Sequence, residues 1–316
     1  MLPSERLRVL VVLFAAGLLY GCAGLFLLDG IRRRLAGRGD RLPPWEKWAR
    51  RIVMILAVTG VVCVLYARFV EPYWLKVTTV QITTSKLPQG SRPLRIVHIS
   101  DFHCEAFPRL EEKLPTVIAA LHPDIIVFTG DAVNSPAGLP VFKACMKRIA
   151  EIAPTFAVRG NFDVWFWDEL DLFGGTGVTE LISAESDVKV AGTTVRVVGV
   201  PVGEEGIVPK LARPSSKDGF TVFLYHYPDL MPEVVEAGGV DLYCAGHTHG
   251  GQVALPGYGA LVTLSRFDKR YERGLYHEGH TWLNVSSGVG MEGGAVPRVR
   301  FMVRPEVCLI VLSPER

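Results

Sequence analysis

The chain has 316 residues, which is enough for one sizeable core with additional segments. Its formal net charge of +2 and its 21% of charged residues exclude a strongly basic polyanion-binding domain, so we expect no nucleic-acid partner. The hydrophobic share of 49% and the mean hydropathy of +0.26 are high for a soluble protein, and the excess lies near the N-terminus. The six cysteines form no Cys-x-x-Cys pair, which argues against a disulfide framework.

Two apolar stretches near the N-terminus predict a transmembrane helical hairpin. Residues 9–28 contain no charged side chain, and at about 1.5 Å per residue they span the roughly 30 Å of a bilayer core. Residues 52–70 contain one charged side chain, Arg68, which is long enough to reach the membrane interface. An interfacial or re-entrant helix is the alternative for this second stretch. We therefore expect residues 1–70 to be a membrane anchor and residues 71–93 to be a linker.

Basic residues crowd the segment between the two apolar stretches. They are Arg32, Arg33, Arg34, Arg38, Arg41, Lys47, Arg50 and Arg51. Short loops rich in Lys and Arg stay on the cytoplasmic side, so this loop predicts that both termini and the remainder of the chain face outward. Arg6 and Arg8 compete with that signal. If the second stretch does not cross, the remainder of the chain faces the cytoplasm.

From Leu94 onward, short apolar runs rich in β-branched residues alternate with segments of helical character. The runs cover residues 94–100, 124–129, 155–159, 220–225 and 240–245. Their length and their Gly or Pro boundaries are typical of buried strands. Segments 110–120 and 141–153 have helical character and lie between the first three runs. The alternation predicts an α/β domain over residues 94–316.

Oxygen and imidazole side chains follow the carboxyl ends of these predicted strands. They are Asp101, His103, Asp131, Asn161, His226, His247 and His249. Open α/β sheets form their binding crevice at that edge, so we expect these side chains to converge. Carboxylate, amide oxygen and imidazole together suit manganese, iron or zinc better than calcium. The order therefore predicts a site for two divalent ions, with manganese favoured. His98, His122, His277 and His280 fit no ligand position and are expected to be structural or surface residues.

The order Asp-x-His, Gly-Asp, Gly-Asn-x-Asp, His, Gly-His-x-His resembles the calcineurin-like metallophosphoesterases over residues 94 to about 312. The segments 250–252, 255–256, 274–276 and 287–290 are similar to a membrane-associated or exported bacterial branch of that family. The resemblance implies a four-layer sandwich of two mixed β-sheets flanked by helices, following the anchor. It also implies a location in the bacterial inner membrane and hydrolysis of a phosphoester or pyrophosphate.

The resemblance also implies a role for each ligand-type residue. The first ion would be held by Asp101, His103 and His249, the second by Asn161, His226 and His247, and both by Asp131. Asp131, Asn161 and His247 would then act in catalysis, by holding the ions that activate a hydroxide. Asn134 would support the site from outside the ligand set.

Phe162 departs from the family pattern, which has a histidine after the Gly-Asn pair. That histidine can protonate the leaving oxygen, and general acids contribute roughly 10²–10⁴ in rate. A phosphate that leaves from a pyrophosphate needs less help, because its second pKa is about 6. Phe162 therefore favours pyrophosphates or activated esters as substrates.

Three nearby residues are candidates for contacting the substrate. Arg159 is a candidate for binding phosphate, with a surface position on a strand as an equally supported alternative. Trp165 and Trp167 belong to an aromatic cluster that is predicted to receive a lipid tail, with helix packing as the alternative.

Three functions are compatible with these features. The first is a membrane-anchored UDP-2,3-diacylglucosamine diphosphatase of lipid A biosynthesis, although a nucleotide-linked substrate is cytoplasmic and the predicted site is external. The second is an exported phosphodiesterase or phosphatase that acts on envelope phosphoesters, for which Phe162 is the difficulty. The third, a non-catalytic membrane scaffold, is disfavoured by the intact ligand set. No feature implies a protein partner.

Overall fold

The computed structural model describes residues 1–37, 42–190, 192–214, 219–293 and 298–315. Helices α1 (Pro3–Leu35) and α2 (Pro44–Phe69) form an antiparallel pair at the N-terminus. The Tyr20 hydroxyl donates to the Ala57 carbonyl at 3.3 Å, and Arg50 pairs with Asp29 at 2.5 Å. Both helices are long and apolar enough to cross a membrane. Arg38 and Arg41 of the predicted basic loop lie outside the described residues.

Two six-stranded mixed sheets form the body of the domain. The first has the order β1 (Lys76–Thr84), β14 (Glu306–Pro314), β2 (Leu94–Ile99), β3 (Ile125–Phe128), β4 (Thr155–Ala157) and β5 (Thr179–Glu180). The second has the order β12 (Gly274–Glu278), β13 (Thr281–Val285), β9 (Leu242–Ala245), β8 (Phe220–Leu224), β7 (Thr193–Gly199) and β6 (Ala184–Val190). The pairs β2–β14, β12–β13 and β6–β7 are antiparallel, and the other pairs within these two sheets are parallel. A small hairpin joins β10 (Ala254–Leu255) to β11 (Gly259–Ala260).

Alternation along the strands divides the core into layers. In β2, Leu94 and Ile96 face the second sheet, whereas Val97 and Ile99 face helices, because successive side chains point to opposite faces. Helices α3 (Leu114–Ala119) and α4 (Leu139–Ala150) cover the outer face of the first sheet. Helices α6 (Val208–Leu211) and α7 (Met231–Ala237) cover the second sheet. The predicted four-layer α/β sandwich is confirmed.

The predicted linker at residues 71–93 is wrong over much of its length. β1 lies within it and pairs in parallel register with β14, so the first sheet begins 18 residues before Leu94, at Lys76. Its burial alternates, with Thr78, Val80, Ile82 and Thr84 less exposed than Val77, Thr79, Gln81 and Thr83, as expected for a strand with one solvated face. Ile82 is its buried anchor and is 1% exposed. The strand was missed because an edge strand lacks the continuous apolar run that marks central strands.

The anchor contacts the domain at the start of α1 and at the end of α2. Arg300 N–H donates to the carbonyl of Ala67, near the end of α2, at 3.0 Å. At the start of α1, the carboxylate of Glu5 accepts from Thr263 N–H at 2.7 Å. Because the two helices are antiparallel, the end of α1 at Leu35 and the start of α2 at Pro44 lie at the opposite end of the hairpin from the domain.

The placement of β1 predicts that Ile82 contributes to domain stability. Ile82→Ala should lower the free energy of unfolding by about 2–5 kcal/mol, because it leaves a cavity between the sheets. Val77→Ala, on the same strand but at a residue that is 42% exposed, should change it by less than about 1 kcal/mol. Denaturant unfolding of the detergent-solubilised chain measures both. Equal effects would mean that β1 does not belong to the core.

Candidate metal centre

All seven predicted ligand-type residues meet at the carboxyl edges of the two sheets. Asp101 and His103 follow β2, and Asp131 follows β3. After β4, Asn161 begins helix α5 (Asn161–Phe166). The remaining three follow the second sheet, with His226 after β8 and His247 and His249 after β9. Every one of the seven is 9% exposed or less.

The donor atoms of these residues lie within contact distance of one another. His249 Nε2 lies 3.2 Å from His103 Nε2 and 3.4 Å from Asp101 Oδ1. Asp131 Oδ2 lies 3.5 Å from His103 Nε2 and 3.2 Å from His226 Nε2. His247 Nδ1 lies 3.1 Å from Asn161 Oδ1. Two overlapping groups could each hold an ion. They are Asp101 with His103 and His249, and Asp101 with Asp131 and His226.

These spacings match those of ligands around a shared cation. Donors about 2.1 Å from one ion lie about 3.0 Å apart in octahedral and about 3.4 Å apart in tetrahedral geometry. His226 Nδ1 lies 2.7 Å from the carbonyl of Thr129, which assigns a proton to Nδ1. Its buried Nε2 then faces Asp131 and makes no hydrogen bond with any described residue. The donor set therefore fits a pair of divalent ions.

The backbone around the site is strained in a consistent way. Five of the seven residues adopt positive φ: Asp101 (51°), His103 (43°), Asp131 (60°), His247 (69°) and His249 (50°). Such conformations cost of order 1–3 kcal/mol each and persist where the surroundings enforce them. Gly130 and Gly160 make the crowding possible, because a Cβ at Gly130 would lie 2.3 Å from Gly160 N, and one at Gly160 would lie 2.2 Å from Asp131 Oδ1.

Burial sets the protonation of the site. It lowers the pKa of His103 to about 4 and that of His247 to about 3, so both rings are neutral near pH 7 and offer lone pairs. Burial opposes ionisation of Asp131, but the nearby histidines outweigh it and hold the pKa of this carboxyl at about 2. Burial also opposes protonation of His226, but Asp131 and Asp101 raise its pKa to about 9. A cation therefore competes with a proton for His226 Nε2.

Phe162 packs directly against the ligands. Its N–H donates to Asp131 Oδ1 at 2.9 Å, and its ring meets that of His103 edge-on at 4.8 Å. Sequence reasoning did not assign a role to Glu292, whose pKa is raised by burial and then by the charges of Asp131 and Asp101.

The three residues predicted to contact the substrate have different environments in the structure. Arg159 binds Glu180 at 2.7 Å and the carbonyls of Asp168 and Leu170 at 3.0 Å, so its guanidinium holds neighbouring loops together. Arg159 lies beyond the end of β4 and its side chain is 15% exposed, so it does not have the surface position on a strand given as the alternative, and its binding of phosphate stays a prediction. Trp167 packs against the core on the helical side of the first sheet, which favours helix packing. Trp165 is 64% exposed and stays available to a substrate.

Asp163 supports the site more directly than the sequence suggested. Its carboxylate accepts N–H bonds from Asp131 (2.8 Å), Ala132 (2.8 Å) and Gly160 (2.9 Å). These bonds tie the turn that carries Asp131 to the start of α5. The available signal was its position three residues after Gly160, the spacing of a helix-capping acid. Asn134 donates to the His103 carbonyl at 3.1 Å, as expected for a supporting residue.

Comparisons with known proteins agree with this geometry. Residues 94–251 match the calcineurin-like phosphoesterase family. The chain is 31% identical over 265 residues to the metallophosphoesterase YkuE of Bacillus subtilis, covering 78% of this chain and 89% of YkuE. This chain belongs to the calcineurin-like metallophosphoesterases. That membership confirms the predicted family and the hydrolase class, and the family uses a dinuclear metal site.

Two further relatives of this metallophosphoesterase have named activities. The phosphodiesterase YaeI of Escherichia coli is 28% identical over 266 residues, covering 78% of this chain and 92% of YaeI. The UDP-2,3-diacylglucosamine pyrophosphatase LpxG of Chlamydia trachomatis is 26% identical, with the same two coverages, 78% and 92%.

Asp163 is predicted to matter for metal binding. Asp163→Asn points an amide NH₂ at backbone N–H groups, so it should weaken metal affinity by about 10–100-fold, as the loss of outer-shell partners does. The thermal stabilisation that saturating manganese gives the wild type should shrink accordingly. Asp171→Asn, at a surface side chain that is 71% exposed, is the control and should behave like wild type. An unchanged response in Asp163→Asn would remove Asp163 from the support of the site.

Proposed function

We propose that this chain is a membrane-anchored hydrolase that uses two divalent ions, manganese as the first candidate, to cleave a phosphoester or pyrophosphate in a lipid-linked substrate. UDP-2,3-diacylglucosamine is the specific candidate. The observation that carries the proposal is the convergence of seven buried donors at spacings of 3.1–3.5 Å.

The proposed ligand roles follow the family pattern. Asp101, His103 and His249 would hold one ion, Asn161, His226 and His247 the other, and Asp131 both. When bound, the ions supply Lewis-acid activation of the phosphoryl group and of the attacking water. The protein orients Asp131 through the Phe162 N–H and fixes His226 through the Thr129 carbonyl. Asn161 contributes a neutral oxygen, which limits negative charge where an anionic substrate must bind.

The lack of a proton donor at Phe162 favours a pyrophosphate substrate. The Phe162 ring lies against His103 and can donate no proton to a departing oxygen. A nucleoside or sugar phosphate departs from a pyrophosphate with less need for a proton than an alkoxide does. The similarity to LpxG, which is named a UDP-2,3-diacylglucosamine pyrophosphatase, agrees with this choice.

The arrangement of the anchor supports a second candidate, an exported phosphodiesterase acting on envelope phosphoesters. The domain lies at one end of the proposed transmembrane hairpin. The described basic residues near the end of α1 and the start of α2, which are Arg32, Arg33, Arg34, Lys47, Arg50 and Arg51, lie at the other end. The positive-inside rule then favours a catalytic domain on the outer face of the bacterial inner membrane. The relative YaeI is named a phosphodiesterase.

A cavity between the metal centre and the anchor supports a substrate that arrives from the membrane. It has a volume of about 310 Å³, and its lining includes His103 of the site together with Arg68 at the end of α2 and Tyr73 just beyond it. Phe107, which is 85% exposed, and Met291 give it an apolar side. A cation with apolar neighbours near a membrane surface suits the phosphate and lipid portions of one substrate.

The substrate class is tested with the purified full-length protein and manganese. UDP-2,3-diacylglucosamine should be cleaved with a higher kcat/KM than a chromogenic phosphodiester. Asp131→Asn should lower both values by at least about 10²-fold, because it removes charge between the ions. Asp168→Asn, at a side chain that is 74% exposed, should leave both unchanged. A preference for the chromogenic diester would favour the second candidate, and full activity of Asp131→Asn would reject both.

Arg68 is predicted to contribute to binding of a lipid-linked substrate alone. Arg68→Gln would remove the charge-assisted hydrogen bond that we propose between Arg68 and the substrate phosphate, which is worth about 1.5–3 kcal/mol, so KM for that substrate should rise about 10-fold or more. KM for the water-soluble diester should not change. Arg92→Gln, at an exposed guanidinium that pairs with Asp124, is the matched control. Equal changes for both substrates would argue against a membrane-side route.

A further inference from the structure

The first turn of α1 inserts a buried carboxylate into the domain. Glu5 is fully buried, although most side chains of its helix are exposed. Its Oε1 accepts from Thr263 N–H at 2.7 Å, Leu264 N–H at 3.0 Å and Thr263 Oγ1 at 3.1 Å. Its Oε2 accepts from Leu2 N–H at 2.8 Å. The anchor therefore satisfies two consecutive backbone donors of a loop more than 250 residues away, residues 263–268, here called the clamp loop.

The clamp loop adopts a conformation that needs this anion. Leu264 has φ +58°, which is unfavourable for a branched residue without compensation. Consecutive N–H groups next to a left-handed residue form a concavity that binds negative charge. Glu5 supplies that charge, so the carboxylate stabilises the turn at Leu264.

The opposite side of the same residue faces the metal centre. The Leu264 carbonyl lies 3.4 Å from His247 Nε2, and His247 Nδ1 lies 3.1 Å from Asn161 Oδ1. A proton on Nε2 donated to Leu264 leaves the lone pair of Nδ1 directed at the site. Partners of this kind fix the tautomer and the direction of a metal-ligating histidine.

We propose that Glu5 is a positioning residue of the metal centre. Through the turn at Thr263 and Leu264, it aims the Leu264 carbonyl at His247 and so fixes the nitrogen that His247 presents to the second ion. The proposal rests on the proposed function. It makes the start of the anchor a functional part of the site as well as a tether.

Two neighbouring interactions separate this role from simple docking. Arg8 binds Asp268 with contacts of 2.5 and 2.6 Å, which attaches the same helix to the same loop without touching the turn at Leu264. From the domain side, Asp229 accepts from Ser265 Oγ at 2.5 Å and from Arg266 N–H at 3.0 Å. Asp229 should therefore keep the far half of the clamp loop folded when Glu5 is replaced.

The test uses full-length protein in detergent with Mn²⁺ as the probe. Equilibrium dialysis measures the affinity of each ion, and electron paramagnetic resonance detects the exchange-coupled ion pair.

Glu5→Ala should weaken the binding of one of the two ions by roughly 10–100-fold and reduce the signal of the coupled pair. Glu5→Gln keeps a carbonyl oxygen for the turn and should recover part of that loss. Arg8→Ala should bind both ions within about 3-fold of wild type. Without metal, the amides of Thr263 and Leu264 should exchange hydrogen faster in Glu5→Ala alone.

The outcomes distinguish this inference from the function on which it rests. If the wild type binds two ions and Glu5→Ala does so with equal affinity, the inference fails and the proposed function stands. The inference also fails if Arg8→Ala loses the same ion to the same extent, since docking in general would then be the cause. A wild type that binds no ion pair would reject the proposed function itself, whatever the amide exchange shows.

Discussion

The structure depends on a cluster of buried donor atoms that repel one another unless positive charge lies between them. His226 directs its Nε2 at Asp131, and His103 and His249 direct theirs at each other, all at 3.2 Å. No hydrophobic gain explains placing these groups in strained turns at the ends of five strands. The sandwich supplies the rigidity, because both sheets end their central parallel strands at the same edge. The fold thus stores backbone strain at a place where divalent ions would compensate for it.

A second polar network couples the sheets behind that cluster. His98 is fully buried and bonds Asn284 of the second sheet at 2.7 Å and Thr129 of the first at 2.9 Å. The Thr129 hydroxyl donates a hydrogen bond to Ser100 Oγ at 2.7 Å, and the Thr129 carbonyl orients His226. The same few residues therefore connect the two sheets and orient His226.

The sequence predicted what depends on local pattern and missed what depends on distant contacts. Central strands such as 124–129 were recognisable because both faces are buried, and the ligand-type residues follow them directly. The edge strand β1 was taken for a linker, because one solvated face dilutes its apolar signal. Arg159 and Trp167 sit beside the metal loop in sequence, yet Arg159 binds Glu180 and Trp167 packs into the core. Adjacency along the chain fixes the location of a side chain but not its direction.

The anchor and the metal centre are physically continuous at two points. Glu5 reaches the His247 side through Leu264. At the end of α2, which lies at the same end of the hairpin as Glu5, the residue that bonds the Ala67 carbonyl is Arg300. Its buried guanidinium donates to the carbonyls of Ser287, Gly288 and Gly290 and lies 3.5 Å from His249 Nδ1. Each helix end thus contacts the surroundings of a different histidine of the Gly-His-x-His turn. If the two helices cross a membrane as proposed, a hairpin joined to the site in this way fixes the orientation of the metal centre relative to that membrane. A flexible tether would leave that orientation free and would not need the contacts that both helices make with the domain.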